Sequence, residues 1–173
     1  MVRKILDAKD PYLRQVSKPV GAIDKKVEGL IRDLKDTLRI QKDPEGVGLA
    51  APQIGKNVRI FYISHKGVSE IFINPEIVSL GPLRKDPEKE KIMEGCLSLP
   101  HYYGPLERAG SVTLKYRDEE GNKKIKTIKG FLAQIIQHEV DHLNGVLFVD
   151  RILEQKKKLY KLIDEEEWEE VEI

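Results

Sequence analysis

Val27, Leu30, Ile31, Leu34 and Leu38 recur at three- and four-residue intervals after Asp24. That spacing gathers them on one helical face with Asp24 as N-cap, so a helix is predicted over 25–41. Asp43-Pro44-Glu45-Gly46 then breaks it. The period changes at residues 58–64 and 71–78, which are rich in β-branched and aromatic side chains and flank a turn at Gly67. These predict paired strands, and Asn74-Pro75 places the second near an edge or an end. A polar stretch from Gly81 to Lys91 reads as a loop, and Glu94 to Pro100 as a connection carrying function. Residues 111–116 and 123–129 flank Asp118-Glu119-Glu120-Gly121-Asn122, a hairpin pattern. A helix is predicted over 131–143, closed by Asn144-Gly145. A last helix is predicted over 153–169, although its basic residues come early and its acidic ones late, against the helix dipole. Trp168 is expected to anchor it.

Composition narrows the class. Across 173 residues, 30 basic and 29 acidic side chains leave a net charge of +1. That balance argues for neither nucleic acid nor an anionic membrane as the main partner, and the charged fraction of 34% reads as a solvated surface. No stretch has the roughly 20 apolar residues of a membrane span, and Met1-Val2-Arg3-Lys4 leads into polar sequence. The lone cysteine, Cys96, has no intramolecular disulfide partner. Together these predict a soluble, cytoplasmic protein without internal repeats or a dividing linker.

The candidate chemistry lies in Gln137-His138-Glu139-Val140-Asp141-His142. Two imidazoles at i and i+4 share a helical face and can share an ion, while Glu139 projects at about 100° from His138 and can reach the ion's water. HExxH alone points most often to zinc proteases, so a third ligand has to discriminate. The metzincin continuation has its glycine at Gly145, but its ligand position holds Phe148, which excludes that class. Glu165, Glu166 or Glu167 are late glutamates for a gluzincin, though their charge run reads better as a solvated face. Upstream, Cys96 in Glu94-Gly95-Cys96-Leu97-Ser98 is either a buried apolar thiol or a thiolate ligand. Cysteine with two histidines gives three protein ligands and one open position, the arrangement of a catalytic ion. His65 and His101 are isolated and read as non-ligands.

A third run, Gly46-Val47-Gly48-Leu49-Ala50-Ala51-Pro52-Gln53-Ile54-Gly55, is small and apolar and ends near one amide side chain. Close packing accounts for its glycines and alanines but gives Gln53 no role. With the Cys96 and His138 runs it closely resembles the peptide deformylase family, all three of whose motifs stand here in order, over about Asp10 to Arg151.

The resemblance implies an α+β fold with antiparallel sheets packed around a central metal-binding helix, an N-terminal and a C-terminal helix, and residues 1–173 as one catalytic domain. It implies Fe(II), replaceable by Zn, Ni or Co, held by Cys96, His138 and His142. It also implies removal of the formyl group from formylmethionine of nascent polypeptides, with release of formate. Glu139 is then the acid and base for an activated water, and Gln53 with the Leu97 N–H stabilises the oxyanion. Phe131 and Ile135 continue the metal face of the helix as an apolar stripe; they serve as core, as walls of a methionine slot with Val47 and Ile92, or as both. Gly46 and Gly48 either let a peptide backbone approach or serve turns, and Gly95 is a further place where backbone can come close. Asp141 is either a helix-surface acid or a partner of Arg108. Tyr103 stands where many relatives place a peptide-binding arginine. Some bacterial relatives dock on the ribosome through a basic C-terminal helix, whereas Glu165-Glu166-Glu167-Trp168-Glu169-Glu170 is acidic, so transient ribosome association by that route is a weak expectation. The other class of reading is a non-catalytic relative whose metal supports peptide binding. Glu139 argues against it, because a structural site has no use for a carboxylate beside an open position.

Overall fold

The computed structural model describes residues 1–84 and 93–173. Helix α1 (Lys25–Arg39) starts where the sequence places it, with the Asp24 side chain accepting from the Val27 N–H at 3.0 Å. Its stripe buries Ile31, Leu34 and Leu38. A five-stranded antiparallel sheet follows in the order β1 (Gly48–Ala50), β2 (Ile60–His65), β3 (Val68–Leu80), β6 (Ser111–Arg117) and β7 (Lys123–Lys129). The β2–β3 turn uses Lys66 and Gly67 with φ of 45° and 82°, the double left-handed geometry that suits the twist of a two-residue hairpin.

Asn74-Pro75 does not mark an edge, because β3 lies in the interior of this sheet. The register shifts between Ile73 and Glu76, and this bulge absorbs the proline's missing donor. Asn74, at φ 50°, turns its side chain to Val20 instead, accepting from its N–H at 2.8 Å and donating to its C=O at 2.7 Å.

Helix α2 (Phe131–Leu143) lies against the sheet with Ala133 through Leu143 all buried. Its apolar residues join Phe61, Phe72, Val112, Leu114 and Tyr116 in one core, while the stripe of α1 covers the other side of β2 with Leu49, Ile60, Tyr62 and Ile71. Past α2, Asn144 and Gly145 close the helix. Gly145 is required: its φ is 73°, and a Cβ there would stand 2.4 Å from the Arg14 carbonyl oxygen.

The predicted final helix is not formed. Helix α3 (Phe148–Glu154) is one short piece, after which Lys156 adopts φ 55° and the chain returns as a hairpin, β8 (Leu159–Asp164) and β9 (Glu167–Val171). With β4 (Glu94–Cys96) and β5 (Leu99–Gly104) these make a second sheet, ordered β4-β5-β8-β9. A helix would have stacked the late glutamates three and four residues apart on one face, where like charges repel. The hairpin splits them between faces and sets Glu169 opposite Lys161, and Glu170 3.0 Å from Lys158. Trp168 therefore sits on a strand. Among the described residues no helix is long and apolar enough to cross a membrane. Of the loop expected over 81–91, residues 85–91 lie outside the described residues, as does Ile92.

Candidate metal centre and its pocket

α2 brings His138 and His142 to the same end of the cleft between the two sheets, and the end of β4 brings Cys96 to meet them. One donor atom from each of the three lies within 4.8 Å of the others, and among the described residues no other His, Cys, Asp and Glu group forms such a set. Cys96 Sγ and His142 Nε2 are 3.3 Å apart. Two ligands on one tetrahedral ion, with bonds of about 2.1 and 2.3 Å, stand about 3.6 Å apart, so the donor set fits an ion of that kind. His65 and His101 lie outside it.

The support around the ligands is a charge network the sequence reading largely missed. Glu94, two residues before the cysteine, binds His138 Nδ1 at 2.7 Å through Oε1. Arg108 grips Glu94 through Nε and Nη2 at 3.0 and 2.5 Å and reaches Asp141 through Nη1 at 2.7 Å. Arg151 closes the chain on Asp141 from outside at 2.9 and 3.1 Å. Burial resists ionisation of Glu94, but Arg108 and His138 outweigh it and hold its pKa down to about 2. Arg108 stays charged for the reciprocal reason, its own burial penalty being overcome by Glu94 and then Asp141. Of the two readings left open for Asp141, the structure shows the pair with Arg108. Glu94 was not, although a carboxylate beside a ligand motif is the usual partner of a metal-binding histidine.

Glu139, the residue after His138, faces the same cavity. Its Oε2 is buried without a partner, and its Oε1 lies so near Gly48 that a Cβ there would approach to 2.6 Å. Burial, partly opposed by His138, pushes its pKa up to about 7. Gln53, in the short 3-10 helix after β1, accepts from the Ala50 N–H at 2.9 Å and donates to Ser98 Oγ at 3.1 Å. The same amide nitrogen points at Cys96 Sγ from 3.6 Å.

These groups line a cavity of about 200 Å³. Its walls take in Val47, Gly48, Gly95, Leu97, Phe131 and Ile135, so every described residue expected in the slot is there. Tyr103, at the position where many relatives place a peptide-binding arginine, lines it as well, and so do Pro44, Glu45, Met93 and Gln134, which were not foreseen. Gly95 is needed for close packing, since a Cβ would come 2.6 Å from the Tyr103 ring.

Comparison with known proteins gives the same answer from outside the site. The family model described as polypeptide deformylase matches residues 2–158. The peptide deformylase of Pseudothermotoga lettingae is 41% identical over 94% of this chain and 93% of its own length. The crystal structure of a peptide deformylase from Legionella pneumophila superposes with a TM-score of 0.77 at 40% identity, covering 91% of this chain and 93% of that one. A Met-Ala-Ser-bound peptide deformylase from Acinetobacter baumannii does so at 0.79 and 31% identity, covering 88% and 99%. The three motifs, the donor set they build and these likenesses along nearly the whole chain agree, and the chain belongs to the polypeptide deformylase family.

Proposed function

We propose that this enzyme hydrolyses the formyl amide at the N-terminus of formylmethionyl polypeptides, acting on nascent chains in the cytoplasm, with an ion held by Cys96, His138 and His142. The observation that carries the reading is the meeting of that donor set with the buried carboxylate of Glu139, one of whose oxygens has no partner, in one small cavity. One thiolate and two imidazoles suit ferrous iron, with zinc, nickel or cobalt as substitutes. When bound, such an ion lowers the pKa of water and polarises a carbonyl oxygen.

Glu139 takes a proton from the attacking water as its oxygen adds to the formyl carbon. It returns that proton to the amine as the C–N bond breaks and formate leaves. A carboxylate with a pKa of about 7 is matched to both halves of that exchange near neutral pH. Gln53 keeps its amide oriented through Ala50 and Ser98 and offers Nε2 to the negative oxygen formed in between, with the Leu97 N–H as second donor. Val47, Phe131 and Ile135 supply apolar walls for the methionine side chain, and Gly48 and Gly95 leave room for the peptide backbone. The related Acinetobacter baumannii protein, recorded with Met-Ala-Ser bound, supports a peptide in this cleft.

The test is formate release from a formyl-methionyl dipeptide by anaerobically purified, iron-loaded protein. Turnover that survives with nickel and decays in air with iron is expected, because oxidation attacks the thiolate. Metal uptake without any formate release would leave the non-catalytic reading standing.

A further inference from the structure

Each of the two sheets ends in one strand that the cavity uses and one that it does not. β1 and β4 bring Gly48 and Cys96 to the cavity wall. β7 and β9, at the other ends, pair with β6 and β8 on one side and with no strand on the other among the described residues. Their charges are opposite: β7 reads Lys123-Lys124-Ile125-Lys126-Thr127-Ile128-Lys129, and β9 reads Glu167-Trp168-Glu169-Glu170-Val171. Lysines along an edge keep a second copy of that edge away, and glutamates do the same. Neither bars the other. Each edge also leaves a large apolar side chain in water, Ile125 at 65% and Trp168 at 45% exposed.

We propose that β9 of one copy adds antiparallel to β7 of a second copy, joining the four-stranded sheet of one to the five-stranded sheet of the other. One register satisfies side chains and backbone together. With Ile125 opposite Trp168, antiparallel pairing sets Lys123, Lys124 and Lys126 opposite Glu170, Glu169 and Glu167. A β-branched side chain on an aromatic one and opposite charges are both favourable cross-strand pairs. The backbone agrees. Asp118 N–H donates to the Asn122 C=O at 3.0 Å, so alternation along β7 turns the N–H and C=O of Lys123 and Ile125 away from β6. Asp164 and Glu167 flank a two-residue turn, whose closing pair is hydrogen-bonded, so Trp168 and Glu170 turn theirs away from β8. Outward groups then meet outward groups. A slip of one residue sets them against inward ones, and a slip of two in either direction sets Ile125 against a glutamate. Each copy carries both edges, so the contact is head-to-tail. One short strand pair makes a weak interface, with a Kd on the order of 100 μM.

Nickel-loaded protein is sedimented from about 10 μM to about 1 mM at about 20 mM salt, where charge pairing is least screened. The mean mass should rise with concentration, and about 0.5 M salt should reverse the rise. Trp168 is the sole tryptophan, so its emission should become harder to quench with acrylamide over the same range. Ile125→Glu should weaken association about five- to tenfold, and Lys123→Glu and Glu170→Lys should each do the same. An equimolar mixture of those two charge variants should associate as the wild type does, because the reversed lysine and the reversed glutamate face each other. All three side chains are exposed, so these changes leave the fold alone. Protein that stays monomeric at about 1 mM salt-free concentration overturns the proposal. Association unmoved by Lys123→Glu overturns it too, as does a mixture of the charge variants that fails to associate. Should a variant lose its fold, the wild type still decides: association that leaves Trp168 quenching unchanged uses another surface, and the proposal falls.

Discussion

The carboxylate of Glu94 fixes the tautomer of His138. With its pKa held near 2, Glu94 is ionised and only accepts, so the 2.7 Å bond requires a proton on His138 Nδ1 and leaves Nε2 as the ligand atom. Replacing Glu94 by Gln should weaken metal affinity about 10- to 100-fold, read by competition with a chromogenic chelator. Arg108→Ala leaves two buried carboxylates without their shared partner and should lower stability by about 3–5 kcal/mol in chemical denaturation. A near-neutral result for Arg108→Ala would mean the network is not the clamp described.

Glu139→Gln keeps the shape of the side chain and removes the base. The variant should bind iron or nickel as the wild type does while kcat falls about 10²- to 10⁴-fold. Unchanged turnover with a full metal complement would require another group to move the proton.

Gly48→Ala tests a clearance. The added carbon would stand 2.6 Å from Glu139 Oε1 and 3.0 Å from Ile135 Cγ2. One of them must move, and Glu139 sits in the cavity with the freer end. Metal content should be kept and kcat/KM should fall by about tenfold or more, as small displacements of catalytic groups do. A variant as active as wild type would show that Glu139 tolerates another position.

Asp118 sets the pH dependence at the β6–β7 turn, away from the site. Its side chain accepts from the Glu120 and Asn122 N–H groups at 3.0 and 2.8 Å and pairs with Lys124 at 3.3 Å. Desolvation works against its charge, but the Asn122 and Lys124 contacts outweigh it and lower its pKa. A folded-state pKa below the unfolded one gives stability that is present above the unfolded value, about 3.9, and lost as pH falls through the folded value. Asp118→Asn should therefore be destabilised at pH 7, with the gap to wild type closing below about pH 4 in urea melts. A gap that is constant from pH 7 to pH 3 would contradict the shift.

Much of this was legible in the residues. The Asp24 cap, the hairpin around Gly121 and the helix carrying the histidines follow from local pattern, and helix α2 begins and ends at Phe131 and Leu143 as read. The second sheet was not legible, because its order brings β5 beside β8 across more than fifty residues of chain. Nothing local announces such a partner. Leu159, Leu162 and Trp168 fit a helical period nearly as well as a strand period, so the decision fell to an edge of β5 waiting to be paired. Within the site the reading reached ligands and walls but not the role of Glu94, which depends on a contact between elements.

The eleven consecutive buried positions of α2, Ala133 to Leu143, have a consequence for how this protein can vary. An ordinary helix keeps a wet side on which substitutions pass unnoticed. This one has none between Ala133 and Leu143: Gln134, Gln137 and Asp141 are buried along with Ile136, and each is tied to Glu94, Ala109 or Arg108. Drift in this stretch has no solvent to hide in, so new preferences among descendants of this chain have to come from the rim, where Glu45, Tyr103 and the terminal hairpin remain free to change.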